Sequence, residues 1–180
     1  MSAGANDDLK ALIRTIPDFP KPGIAFRDIT TLLLDAAGFA TAIERMAARV
    51  DGPVDLVAGI EARGFLFAAA LAVRLEAGVL LIRKDGKLPG ATIAEDYALE
   101  YGTDRIAIHA DACAPDARVL LVDDLIATGG TARAAVRLLK KAGAVVEQAQ
   151  FLVDLPDLGG ADGLREDGIR MSALVEFPGH

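Results

Sequence analysis

Residues 118–143 hold a four-residue apolar run (Val119, Leu120, Leu121, Val122), two acids (Asp123, Asp124) and a loop of small residues (Ala127, Thr128, Gly129, Gly130, Thr131). Ala132, Ala135, Val136 and Leu139 then recur at helical spacing, and Gly143 stands where a helix would stop in a left-handed residue. A short unbroken apolar run marks a strand buried on both faces, and such a strand needs helices covering it on either side. The stretch therefore predicts an α/β protein: a parallel sheet flanked by helices, with ligands gathered at the carboxyl ends of the strands. The two acids are expected where the strand ends.

Strand, small-residue loop and helix start together bind phosphate. The first helical turn carries unpaired N–H groups and the positive end of the helix dipole. Two glycines let the backbone approach an anion, and the Thr128 and Thr131 hydroxyls add donors. Carboxylates repel phosphate, so Asp123 and Asp124 suit sugar hydroxyls better, and the stretch reads as a cradle for a ribose 5-phosphate. Two competing phosphate motifs fail: G-x-x-x-x-G-K-[ST] is absent, and the loop lacks G-x-G-x-x-G spacing.

Composition narrows the partners. With 180 residues, 52% of them apolar, the chain has room for a well-buried core and is not a disordered polymer. A net charge of −7 argues against nucleic acid or anionic membrane as a partner, so a polyanionic ligand must meet locally placed cations. The one cysteine, Cys113, has no internal disulfide partner, which suits a reducing, cytoplasmic setting. The acidic start does not resemble a signal peptide, and the longest apolar run is too short to span a bilayer.

Taken in order, residues 7–14 read as a short helix. Residues 16–28 hold three prolines within six residues together with Phe19, Ile24 and Phe26. That composition predicts a stiff, irregular loop that covers a core edge or presents backbone to a ligand. An amphipathic helix spans 35–50 and a buried strand 54–60. Glu61, Ala62, Arg63 and Gly64 then lead into a helix over about 65–76, a second strand–loop–helix unit, here carrying an arginine. A third strand covers 79–83, followed by a turn holding Lys84 and Lys87. Residues 92–110 alternate as a two-stranded ribbon, which in isolation is only marginally stable and so suits a lid. Strands over 145–153 and 169–177 follow, separated by a Gly/Asp-rich link at 157–168. His109 is given no chemistry, and no metal-ligand cluster or repeat is apparent.

The string at 119–131 resembles the phosphoribosyl-diphosphate signature of the type I phosphoribosyltransferases. Residues 19–28, F-P-x-P-G-x-x-F-R-D, residues 83–90, R-K-x-G-K-L-P-G, and the L-E-Y-G at 99–102 resemble the adenine phosphoribosyltransferases. The resemblance runs from Phe19 to about Leu158. It implies a five-stranded parallel sheet flanked by helices, one domain over 1–180, a small hood from about 1–30 and 154–180, and a flexible hairpin lid at about 88–111.

It also implies chemistry. Phosphoribosyl diphosphate (PRPP) would rest its 5-phosphate on Ala127, Thr128, Gly129, Gly130 and Thr131 and its ribose hydroxyls on Asp123 and Asp124. The diphosphate would meet Arg63, Lys87 and Tyr101, and a non-proline cis bond would join Glu61 to Ala62. Adenine would lie among Ala25, Phe26, Arg27 and Leu155, with Phe26 stacked on the purine. Ala25 departs from the larger aliphatic residue usual there, which loosens that wall. Glu100, Arg63, Lys87 and Asp124 would carry catalysis, Glu100 by proton transfer. Mg²⁺ would be held mainly by PRPP and water, with no direct protein ligand, and the chain would act as a homodimer. The implied reaction is purine salvage: adenine and PRPP to AMP and diphosphate. Two rivals share the signature. One is a phosphoribosyltransferase for 6-oxopurines, and the other is a non-catalytic PRPP-sensing regulator.

Overall fold

The computed structural model describes residues 6–98 and 102–179. Five parallel strands form its centre: β3 (Leu56–Ile60), β4 (Gly78–Lys84), β7 (Arg118–Ile126), β8 (Val145–Asp154) and β9 (Arg170–Glu176). They lie in the order β4-β3-β7-β8-β9. Two antiparallel strands, β5 (Thr92–Ala98) and β6 (Thr103–His109), extend the β4 edge to make a seven-stranded sheet. A separate hairpin pairs β1 (Arg14–Pro17) with β2 (Ala25–Asp28).

Helices cover both faces, as the unbroken apolar strands require. On one side α5 (Gly130–Lys141) sets Ala134, Ala135, Leu138 and Leu139 into a core with Ile82, Leu121 and Phe151. On the other, α3 (Ala36–Ala47) and α4 (Gly64–Leu75) set Ile43, Met46, Phe67 and Leu71 against Val57, Leu120 and Leu152. Phe67 and Phe151 are completely enclosed, each contributing roughly 1.5–3 kcal/mol by burial. Asp35 caps α3 by accepting from Gly38 N at 2.7 Å. Gly143, at φ +92°, ends α5 as its position predicts. Among the described residues no helix is long and apolar enough to cross a membrane.

Four local expectations change. β7 does not stop at the acids. β3 pairs with it only as far as Val122, but β8 stays alongside, with Asp123 opposite Phe151 and Ile126 opposite Asp154. The proline-rich stretch is not irregular throughout: Pro17 closes β1, and the turn before β2 holds a cis Phe19–Pro20 bond. The ribbon is not isolated either, since β6 pairs with β4 through Ala107 and Ile106. The link at 157–168 folds into a 3-10 turn (Pro156–Leu158) and α6 (Gly160–Glu166), which buries Leu164. The first of the helices is α1 (Asp7–Ala11), and the short α2 (Thr30–Leu34) precedes α3.

Candidate active site

A cleft of about 540 Å³ opens at the carboxyl ends of β3 and β7. Its floor is the loop at 127–131. Gly129 takes φ +79°, the left-handed conformation that glycine tolerates without penalty, and hands the chain directly into α5. Its N-cap residue, Gly129, has no side chain to cap the helix, and the first-turn N–H groups, which have no intrahelical acceptor, lie at the cleft with the positive end of the dipole. The loop rests on the start of α6, where Gly160 N donates to Ala127 O at 3.0 Å.

Beyond β3, the continued β7 carries both acids into the cleft wall. Asp123 Oδ1 accepts from Asp124 N at 2.9 Å. Burial first, and the adjacent Asp124 charge second, push the Asp123 carboxyl well above its ordinary value. Asp124 is almost fully enclosed, with Arg63 Nε 2.6 Å from its Oδ2. That contact is an ion pair whose direction does not suit a hydrogen bond, so Oδ2 lacks an aligned donor among the described residues. A buried acceptor in that condition is costly unless something else donates to it.

The opposite wall is the turn before α4. The Glu61–Ala62 bond is cis, as the resemblance implies. Glu61 accepts from Arg83 Nε at 3.2 Å and from Lys84 N at 2.9 Å, and the Arg83 bond holds its carboxyl below the usual range. Gly64 sits tightly beneath the acids: a Cβ there would fall 2.7 Å from Asp123 Oδ1. Lys84, Tyr97 and Asp104 complete the lining, with Lys84 Nζ 2.7 Å from Asp104 Oδ2.

The fold thus brings Arg63, Asp123, Asp124 and the whole 127–131 loop into one cleft. Lys87 instead lies on the exposed turn after β4, its N–H bonded to Lys84 O, and Lys84 is the lysine that faces the cleft. Ala25, Phe26 and Arg27 lie on β2. Phe26 meets the edge of Phe19 at 5.2 Å between centroids and stands 5.8 Å from the Arg63 guanidinium carbon. Arg27 covers the Phe177 ring at 4.4 Å and donates to Thr15 Oγ1, while its Nε is buried without a partner among the described residues. Leu155 is buried just past β8, its N–H bonded to Ile126 O. Glu100 and Tyr101 lie outside the described residues.

Sequence reasoning passed over Tyr97, Asp104 and Gly160. Tyr97 carried a signal in the ribbon's alternation, whereas Gly160 lies in a stretch that reads only as a linker. Three His, Cys, Asp or Glu side chains do not converge as a metal cluster among the described residues. The carboxylates facing the cleft are hard oxygen donors, compatible with Mg²⁺ where most of its ligands come from substrate and water.

Comparison with known proteins agrees with this geometry. The family described as phosphoribosyl transferase domain matches residues 30–156. An adenine phosphoribosyltransferase of Erythrobacter litoralis is 57% identical over 176 residues, covering 97% of this chain and 98% of that protein. The crystal structure of adenine phosphoribosyltransferase from Thermoanaerobacter pseudethanolicus superposes with a TM-score of 0.91 at 48% identity, covering 95% of this chain and 99% of that one. The Saccharomyces cerevisiae enzyme, solved in complex with an imino-altritol bisphosphate and adenine, gives a TM-score of 0.85 at 34% identity, covering 94% of this chain and 97% of the yeast chain.

Proposed function

The chain belongs to the adenine phosphoribosyltransferase family, and from that membership we propose how its own residues divide the transfer of a phosphoribosyl group from PRPP to N9 of adenine. The observation that carries the scheme is the convergence of an uncapped helix start, two acids and Arg63 in one cleft. The 5-phosphate rests on residues 127–131 at the start of α5. Asp123 and Asp124 receive the ribose hydroxyls, which supplies Asp124 Oδ2 with the donor it lacks. Anchoring both ends of the sugar orients C1, so binding energy remote from the bond serves the bond.

As the C1–O bond breaks, its electron pair leaves with diphosphate and positive charge grows on the sugar. Arg63, with Lys84 in the same cleft and Lys87 on the turn after β4, takes up the leaving charge. Adenine N9 attacks C1 and its proton must depart. Glu100 is the carboxylate assigned to receive it, and Tyr101 closes over the diphosphate. Adenine lies against Phe26, between Ala25, Arg27 and Leu155, under a hood formed by about 1–30 and 154–180. Mg²⁺, if bound, would offset charge on the diphosphate and would be held mainly by PRPP oxygens and water.

A homodimer is supported by exposed Leu66 and Val73 on α4 and Val79 and Leu81 on the adjoining β4. A cytoplasmic setting is supported by the free Cys113. The test is product detection with PRPP, Mg²⁺ and each purine base in turn. AMP from adenine alone is expected. Product from hypoxanthine or guanine instead would overturn the base assignment, and PRPP binding without diphosphate release would favour a regulator.

A further inference from the structure

The scheme above gives Asp104, which lines the cleft, no task. Asp104 Oδ2 faces Lys84 Nζ at 2.7 Å and accepts from the Tyr97 hydroxyl at 3.0 Å. Its Oδ1 accepts from Arg105 N at 2.8 Å. Asp104 and Tyr97 are opposed across β5 and β6, and Lys84 lies opposite Ile106 across β4 and β6, so the sheet itself sets this knot. All three side chains line the cleft. Both cations of its lining, Arg63 and Lys84, are therefore engaged by carboxylates, in a cleft read as taking a polyanion.

We infer that Asp104 is an internal counter-anion: it holds Lys84 in the empty cleft, loses it to diphosphate when diphosphate enters, and so sets how tightly diphosphate is retained. This rests on reading the cleft as the PRPP site. The Lys84 side chain is 55% exposed, and pairs this open are weak enough to exchange for a phosphate with more charge and more acceptors. The two partners are also unequal in freedom. Asp104 is pinned by Tyr97 and by its neighbour's N–H, whereas the lysine rides on a flexible four-carbon stem. Lys84 moves and Asp104 stays, a fixed negative charge beside the bound anion.

The experiment is calorimetric titration of the full chain with diphosphate in magnesium buffer, comparing wild type, Asp104→Asn, Lys84→Met and the double variant. Asp104→Asn should bind diphosphate about three- to tenfold tighter, chiefly because Lys84 no longer has to leave a carboxylate. In the Lys84→Met background the same change should yield less than about twofold, since the exchange has no lysine to act on. Thermal melts check folding, and Asp104→Ser stands in if the asparagine variant does not fold. Unchanged or weaker binding by Asp104→Asn overturns the inference while leaving the cleft assignment intact. An equal gain in both backgrounds overturns it too, because plain repulsion then suffices. Absence of diphosphate binding by the wild type would overturn the cleft reading and this inference together.

Discussion

Gly129 and Gly160 meet backbone to backbone. A Cβ on Gly129 would fall 2.8 Å from Gly160 Cα, and one on Gly160 would fall 2.6 Å from Gly129 N. The phosphate loop is therefore shaped from beneath, by the first residue of α6, as well as by its own φ at Gly129. Gly160→Ala should displace the loop without touching any ligand. The expected outcome is a KM for PRPP raised about tenfold or more by misplacement of the loop amides. Overpacking of this kind should also cost about 1–3 kcal/mol in denaturant titration. A variant with wild-type KM would show that the loop holds its shape alone.

That contact also marks the boundary of what the sequence discloses. The apolar run at 119–122, the acids and the small-residue loop declare a strand, a cradle and a helix, because each is local chemistry in consecutive residues. Arg63 is legible for the same reason, standing at a second strand–loop–helix junction. Gly160 and Asp104 are not legible, since each matters only for what the fold brings against it from about thirty and twenty residues away. The acids illustrate the middle case. Their identity is plain, but their place on a continued β7 depends on β8 remaining alongside after β3 has ended. The proline stretch misleads in the opposite sense: its prolines fall at the end of β1 and in the turn, leaving residues 25–28 free to pair as a strand.

Asp123 links stability to function through its titration. Burial and the charge of Asp124 raise its folded value above the ordinary 3.8, so the native state keeps a proton that the unfolded chain releases. Stability then falls as pH rises from about 3.8 through the folded value, and the full penalty persists above it. Asp123→Asn should therefore raise the melting temperature at pH 7, with the gain shrinking toward zero as pH approaches 3.8. The same variant should use PRPP poorly. Melting curves across that range check the first claim, and loss of melting temperature at neutral pH would contradict it.

Asp28 shows the reverse sign. Its Oδ1 accepts from the Thr30 hydroxyl and N–H, and its Oδ2 from Arg14 Nε at 3.0 Å, which ties β2 to β1 and to the start of α2. Those bonds, Thr30 first, lower its carboxyl to about 2. The stabilisation is present above the unfolded value of 3.8 and is lost as pH falls toward about 2. Asp28→Asn should thus melt lower than wild type at pH 7 and converge with it in acid. Because the hairpin carries Ala25, Phe26 and Arg27, the variant should also raise the KM for adenine by about tenfold with little change for PRPP. Equal effects on both substrates would detach the hairpin from base binding.

Arg63 and Asp124 separate charge stabilisation from sugar binding although they touch at 2.6 Å. Arg63→Met removes a cation that faces charge developing on diphosphate, so kcat should fall by about 10²- to 10³-fold. Arg63→Lys keeps the charge without the planar fork and should recover only part of that loss. Asp124→Asn acts on the ribose instead. No hydrogen bond from the fold reaches its Oδ2 among the described residues, and the ion pair lost with Arg63 is offset by relief of the repulsion on Asp123, so the melting temperature should hold while PRPP use collapses and AMP binds weakly in calorimetry. Half-exposed Arg63 would then stand as a cation without its pair, available to the diphosphate, and the double variant Arg63→Met with Asp124→Asn should lose less than the two single losses combined. Fully additive losses would mean that the pair in the cleft is a bystander to both steps.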